Sequence, residues 1–201
     1  MLLKIYDTNP NPVEIRRVVE VLRKGGIIIF PTDGVYSFGC NIFNPAGVEF
    51  ISRLKNKDLR KSELSFICYE MSQISEYAKM DDVSFKLIKK NLPGPVTFIL
   101  NGSSKLPKLF KNKKTVGIRI PDNLIPVQIV KALGHPIMSA SIHDEDEIIE
   151  YMSDPELIYE KYQDLVDIVI DGGYGSNEVS TIIDCTSGDP EIIRQGKGIL
   201  F

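Results

Sequence analysis

Short β-branched runs alternate with amphipathic stretches along the whole chain, and this alternation limits the fold more than any other feature. The run "GIIIFPTDG" is too brief and too β-branched for a helix and stops abruptly at Pro31, the pattern of a buried strand. "LSFIC", "GPVTFIL", "TVGIRIP", "PIMSAS", "VDIVID", "STIID" and "EIIR" read the same way. Between them, Asn11-Pro12 makes a cap and first-turn pair, and Val13, Val18, Val19 and Leu22 recur at helical spacing until Gly25-Gly26. Amphipathic segments over 45–54 and 82–91, a helix over about 123–133 and another in "PELIYEKY" complete the alternation. No fixed-period repeat, low-complexity tract or long linker interrupts it. The expectation is an α/β fold, one three-layer domain over residues 1–201 around a twisted mixed sheet.

Charge narrows the function. With 24 basic against 27 acidic side chains the net charge is −3, which disfavours wholesale coating of nucleic acid but permits a local basic pocket. No apolar run is long enough to span a bilayer, and "MLLKIYDTNPNPVEI" turns polar too soon for a secretory signal. A cytoplasmic protein without membrane contact is expected. Cys40, Cys68 and Cys185 are far apart and odd in number, the pattern of reduced core residues. No P-loop, HExxH or GxSxG occurs, and His135 and His143 lack nearby ligand partners, so no metal site is expected. "GGYGS" over 172–176 is a glycine turn, and "HDEDE" over 143–147 is a solvated helix start.

Polar residues gather where strands are expected to end, the usual place for ligand crevices in open α/β sheets. "FPTDGVYSFGC" brings Thr32, Asp33 and Tyr36 out of an apolar strand, either as a turn or as part of a site. Pro93-Gly94-Pro95 makes a stiff turn ahead of Thr97, which faces either the site or the core. Arg119 lies inside an alternating strand, where it needs a buried acid or a ligand carboxylate as partner. Ser139 and Ser141 are two apart and share one strand face. Lys55, Lys57 and Lys61 are either a solvated basic loop or charges converging on a phosphate.

In order, "FPTDGVYSFGC", "RLKNKDLRKSELSFI", "LPGPVTFIL", "TVGIRIP", "SASI", "STIID" and "IIRQGKG" resemble the YrdC-like family, which includes the threonylcarbamoyl-AMP synthases, and are most similar to its YciO branch. The resemblance covers about residues 12–199. It implies a YrdC/RibB-like twisted sheet with a large basic concave cavity. It also implies a nucleotidyltransferase-type reaction, in which L-threonine, bicarbonate and ATP give threonylcarbamoyl-AMP and pyrophosphate for t6A modification of tRNA. ATP is then a substrate, accompanied by Mg2+. Carried over by position, the resemblance assigns Thr32, Arg119, Ser139 and Ser180 to threonine, with Arg119 on its carboxylate. Lys55, Lys57, Thr115, Ser141 and Arg194 go to ATP, and Lys55, Lys57 and Lys61 act as the catalytic cations.

The chain departs from the family pattern twice. The usual lysine-x-arginine pair is Lys55-Asn56-Lys57, which keeps charge and loses the planar fork. The synthase pattern SxSAN becomes "SASIH", placing Ile142 about where a polar asparagine region is expected. The basic cavity that the resemblance implies leaves one alternative, an RNA-binding or translation-associated protein holding tRNA or double-stranded RNA, whose hold would weaken steeply with salt, and the Ile142 departure leaves another, a nucleotide binder without turnover.

Overall fold

The computed structural model describes residues 1–54, 64–142 and 150–200. In chain order the elements are β1 (Leu2–Lys4), α1 (Pro12–Arg23), β2 (Ile27–Phe30), β3 (Ser37–Asn41), α2 (Pro45–Leu54), β4 (Ser65–Ile67), α3 (Met71–Tyr77), β5 (Ala78–Lys79), α4 (Asp82–Asn91) and β6 (Val96–Gly102). A 3-10 turn (Lys108–Lys113) then leads into β7 (Thr115–Arg119), α5 (Leu124–Leu133), β8 (Ile137–Ser141), α6 (Glu150–Ser153), α7 (Pro155–Tyr162), β9 (Ile168–Asp171), β10 (Thr181–Asp184) and β11 (Glu191–Arg194). The strands form one mixed sheet in the order β1-β9-β2-β3-β8-β4-β7-β6-β10-β11, with β5 paired to β6 off that path.

Local chemistry explains the helix starts. Asn11 Oδ1 accepts from the Val13 N–H at 2.9 Å, Asp81 Oδ1 from Ser84 at 2.7 Å and Asn123 Oδ1 from Ile125 at 3.0 Å, each satisfying an amide that the helix leaves open. Gly134, at φ +90°, closes α5 in the left-handed conformation that a glycine takes without steric cost.

Register divides the sheet into two faces, because residues paired across strands point the same way. On one face Ile29, Phe38, Phe66, Phe98, Ile118 and Met138 belong to the larger core. On the other, Ile28, Phe30, Ile67 and Ile137 pack with Ile15, Val18, Val19 and Leu22 of α1 and Ile125, Ile129 and Val130 of α5. Burying each such side chain contributes about 1.5–3 kcal/mol. Helices thus cover both faces, but α1 and α5 cover only part of the second.

Candidate active site

Beyond the reach of α1 and α5, the second face changes chemistry. Gly39 of β3 pairs with Ser139 of β8, Ser139 with Ser65 of β4, and Ser65 with Gly117 of β7. This row of small residues across four strands recesses the sheet surface. Phe30 marks its edge: a Cβ on Gly39 would come 2.8 Å from Phe30 Cε1. One flanking row holds Ser37 opposite Ser141 and, further along, Thr115 opposite Asn101. The other holds Ile137 opposite Ile67 and Ile67 opposite Arg119. Thr97 of β6 stands two residues from Ile99, the partner of Gly117, and so shares this face.

Arg119 is the one buried cation among the described residues, at 7% exposure. Its Nη2 is bonded to Asp33 Oδ1 in an ion pair enclosed on both sides. Its Nε is also buried and has no hydrogen-bond partner. Leaving such a donor unmatched costs about 1–3 kcal/mol. Of the two partners expected for Arg119, the structure shows the acid, Asp33.

Thr32 follows β2 and serves its own turn. Its hydroxyl donates to the Val35 carbonyl at 2.8 Å and accepts from the Gly34 N–H at 3.0 Å, leaving an acceptor lone pair and no donor. Ser180 and Thr97 pair their hydroxyls at 3.0 Å. Arg194 reaches the same spot, with Nε and Nη2 donating to the Ser180 carbonyl at 3.2 and 3.0 Å. The structure thus brings Arg194 and Ser180 together, although the resemblance assigned them to different ligands. Thr115 and Ser141 lie in the row nearest the start of β4. Lys55, Lys57 and Lys61, in the chain between α2 and β4, and residues 143–147, read as a helix start, lie outside the described residues.

Ile142 does not occupy the serine face. It is buried in the larger core, and its N–H donates to the Tyr36 carbonyl at 3.0 Å.

Tyr36 secures the glycine turn after β9. Its hydroxyl donates to the Gly173 carbonyl at 2.7 Å and accepts from the Gly172 N–H at 3.2 Å, and burial pushes its phenol above the ordinary tyrosine range. A cleft of about 300 Å³ lies between this turn and the Thr32-Asp33-Gly34 turn. The cysteines are buried and unpaired, and burial pushes the Cys40 thiol up to about 12, far from the value of a ready nucleophile. Among the described residues, no three His, Cys, Asp or Glu side chains gather to hold a metal ion, and no helix is long and apolar enough to cross a membrane.

Asp33, Thr97, Ser37, Ser65 and Gly117 complete this surface. For Asp33 and Thr97 the sequence left a site role open beside a turn or core role. Ser65 and Gly117 carry one weak signal, a small residue among apolar neighbours in a strand.

A mixed, twisted sheet with helices on both faces and a recessed row of small residues on one of them defines a mixed α/β protein. The chain belongs to the Sua5/YciO/YrdC family, whose model, described as telomere recombination, matches residues 20–196. YciO of Escherichia coli K12, described as an uncharacterized protein, is 38% identical over 197 residues, covering 96% of this chain and 94% of that protein. The crystal structure of E. coli YciO matches with a TM-score of 0.91 at 36% identity, over 99% of this chain and 97% of that one. The threonylcarbamoyl-AMP synthase of Photobacterium profundum is 30% identical over 131 residues, 63% of this chain and 70% of that protein. P. abyssi Sua5 complexed with L-threonine shares the fold, with a TM-score of 0.85 at 24% identity over 98% of this chain and 57% of that chain.

Proposed function

We propose that this chain is a nucleotidyltransferase-type enzyme that joins L-threonine, bicarbonate and ATP to give threonylcarbamoyl-AMP and pyrophosphate. The observation that carries this reading is the buried Arg119 Nε, an unmatched donor beside the recessed row of Gly39, Ser139, Ser65 and Gly117. A carboxylate is the ligand group that best satisfies a guanidinium donor. The names of the synthase relative and of the threonine complex support the same substrate.

In this reading the threonine carboxylate rests on Arg119, near Ser139 and the Thr97–Ser180 pair. The threonine amine attacks the bicarbonate carbon and water leaves, giving a carbamate. A carbamate oxygen then displaces pyrophosphate from the α-phosphorus of ATP, so no enzyme-bound covalent intermediate is needed. Thr115 and Ser141 line the nucleotide end, and Lys55, Lys57 and Lys61 offset the triphosphate charge, with Arg194 at the junction. Mg2+ would arrive with the triphosphate, held by phosphate oxygens and water. Positioning and electrostatics supply the rate enhancement.

The test incubates purified protein with ATP, bicarbonate and single amino acids, following pyrophosphate release with mass detection of the adenylate. Threonylcarbamoyl-AMP that forms only with both threonine and bicarbonate supports the assignment. Pyrophosphate release independent of either, or none at all, removes it.

A further inference from the structure

Arg119 is held from outside its own strand. Asp33 Oδ1 takes its Nη2, Asp33 Oδ2 accepts from the Asp122 N–H at 3.1 Å, and the Asp33 carbonyl accepts from Lys197 Nζ at 2.7 Å. The β2–β3 turn, the turn between β7 and α5 and the C-terminal segment therefore meet at one residue. That segment is itself tightly seated: the Lys197 N–H donates to the Val179 carbonyl at 2.9 Å, and the Gly196 N–H donates to Thr181 Oγ1 at 2.9 Å.

Both carboxylate oxygens of Asp33 accept, one from a cation and one from a backbone amide. An asparagine supplies one acceptor and one donor, so it would aim an NH2 group at one of these two donors. The guanidinium is planar, so fixing Nη2 also restricts where the Nε–H points. Gly34, next to Asp33, is required by the Glu178 carbonyl, which a Cβ there would approach to 2.8 Å, while the same Cβ would stand at ordinary contact distance, 3.8 Å, from Arg119 Nη2.

We propose that Asp33 is the positioning residue of the amino-acid subsite, holding Arg119 at Nη2 so that its Nε–H stays directed at the ligand carboxylate. This rests on the reading that Arg119 binds that carboxylate. The acid acts through the arginine and touches no substrate itself. It makes recognition of the carboxylate depend on a residue of the β2–β3 turn, and leaves the nucleotide end independent of it.

Calorimetry on the full chain tests this with three ligands: L-threonine, L-threoninol, which lacks the carboxylate, and ATP. The wild-type protein is expected to bind threonine at least about tenfold tighter than threoninol. In Asp33→Asn that ratio should collapse toward one, with ATP affinity unchanged. Should Asp33→Asn fail to fold, Asp33→Glu keeps the charge and both acceptors while displacing the fork by one methylene, and the ratio should fall there too. A wild-type ratio of one overturns the carboxylate reading and this proposal together. A wild-type ratio retained in the folded variants overturns the role of Asp33 alone. Equal losses for all three ligands with a lowered Tm assign Asp33 to the fold and also overturn the proposal.

Discussion

Arg119 of β7 and Asp33 of the β2–β3 turn lie 86 positions apart in sequence and form a buried ion pair that leaves the arginine Nε unmatched. A pair serving the fold alone would gain from filling that donor, since each buried unmatched donor lowers stability. Removing the cation and keeping it without its fork should therefore have separate effects. Arg119→Met strands a buried carboxylate and is expected to cost about 3–5 kcal/mol in urea unfolding. Arg119→Lys keeps a charge for Asp33 and should fold, while threonine binding in calorimetry falls by about tenfold or more.

The recessed row can be filled without harming the strand that carries it. Ser65 is partly exposed between Ser139 and Gly117, and valine is a better strand former than serine. Ser65→Val is expected to unfold within about 0.5 kcal/mol of the wild type. Its threonine affinity should nevertheless fall by about tenfold or more, because the added methyl groups rise from the floor. Unfolding and calorimetry on one preparation check both.

The Thr97 and Ser180 hydroxyls, both buried and 3.0 Å apart, should be energetically coupled. A double-mutant cycle of Thr97→Val and Ser180→Ala, read by chemical denaturation, is expected to return about 0.5–1.5 kcal/mol. Additive losses would mean that the contact contributes nothing.

Tyr36 gives a pH dependence of defined sign. Its phenol is raised above the ordinary value, chiefly by burial, so the folded chain favours the protonated form. The contribution is complete below the unfolded tyrosine value of about 10 and is lost as pH rises beyond it. Tyr36→Phe removes the hydroxyl that holds Gly172 and Gly173, and should cost about 1–3 kcal/mol at neutral pH while flattening the loss above about pH 10. Urea midpoints measured from neutral to alkaline pH check this.

Local patterns carried much of the fold. Asn11-Pro12 marks a real helix start, and the runs around Ile27–Phe30, Val96–Gly102 and Thr115–Arg119 are strands, because capping and β-branching act over a few residues. Ser37–Asn41 was not legible as a strand: "SFGCN" has no β-branched residue and is held in the sheet by β2 and β8 on either side. The site was less legible for the same reason. Gly39, Ser65, Gly117 and Ser139 are unremarkable singly and become a surface only once long-range register aligns them. The Asp33–Arg119 pair has no local signature, and Ile142, expected near a polar region, is buried in the larger core.

A crystal structure of the protein soaked with L-threonine would test the central claim most directly. The ligand carboxylate is expected within hydrogen-bonding distance of Arg119 Nε, with the amino group over the Ser139 row and the Asp33 contact intact. Threonine bound elsewhere while Arg119 Nε stays unmatched, or no threonine in a crystal whose polar face is open to solvent, would contradict it.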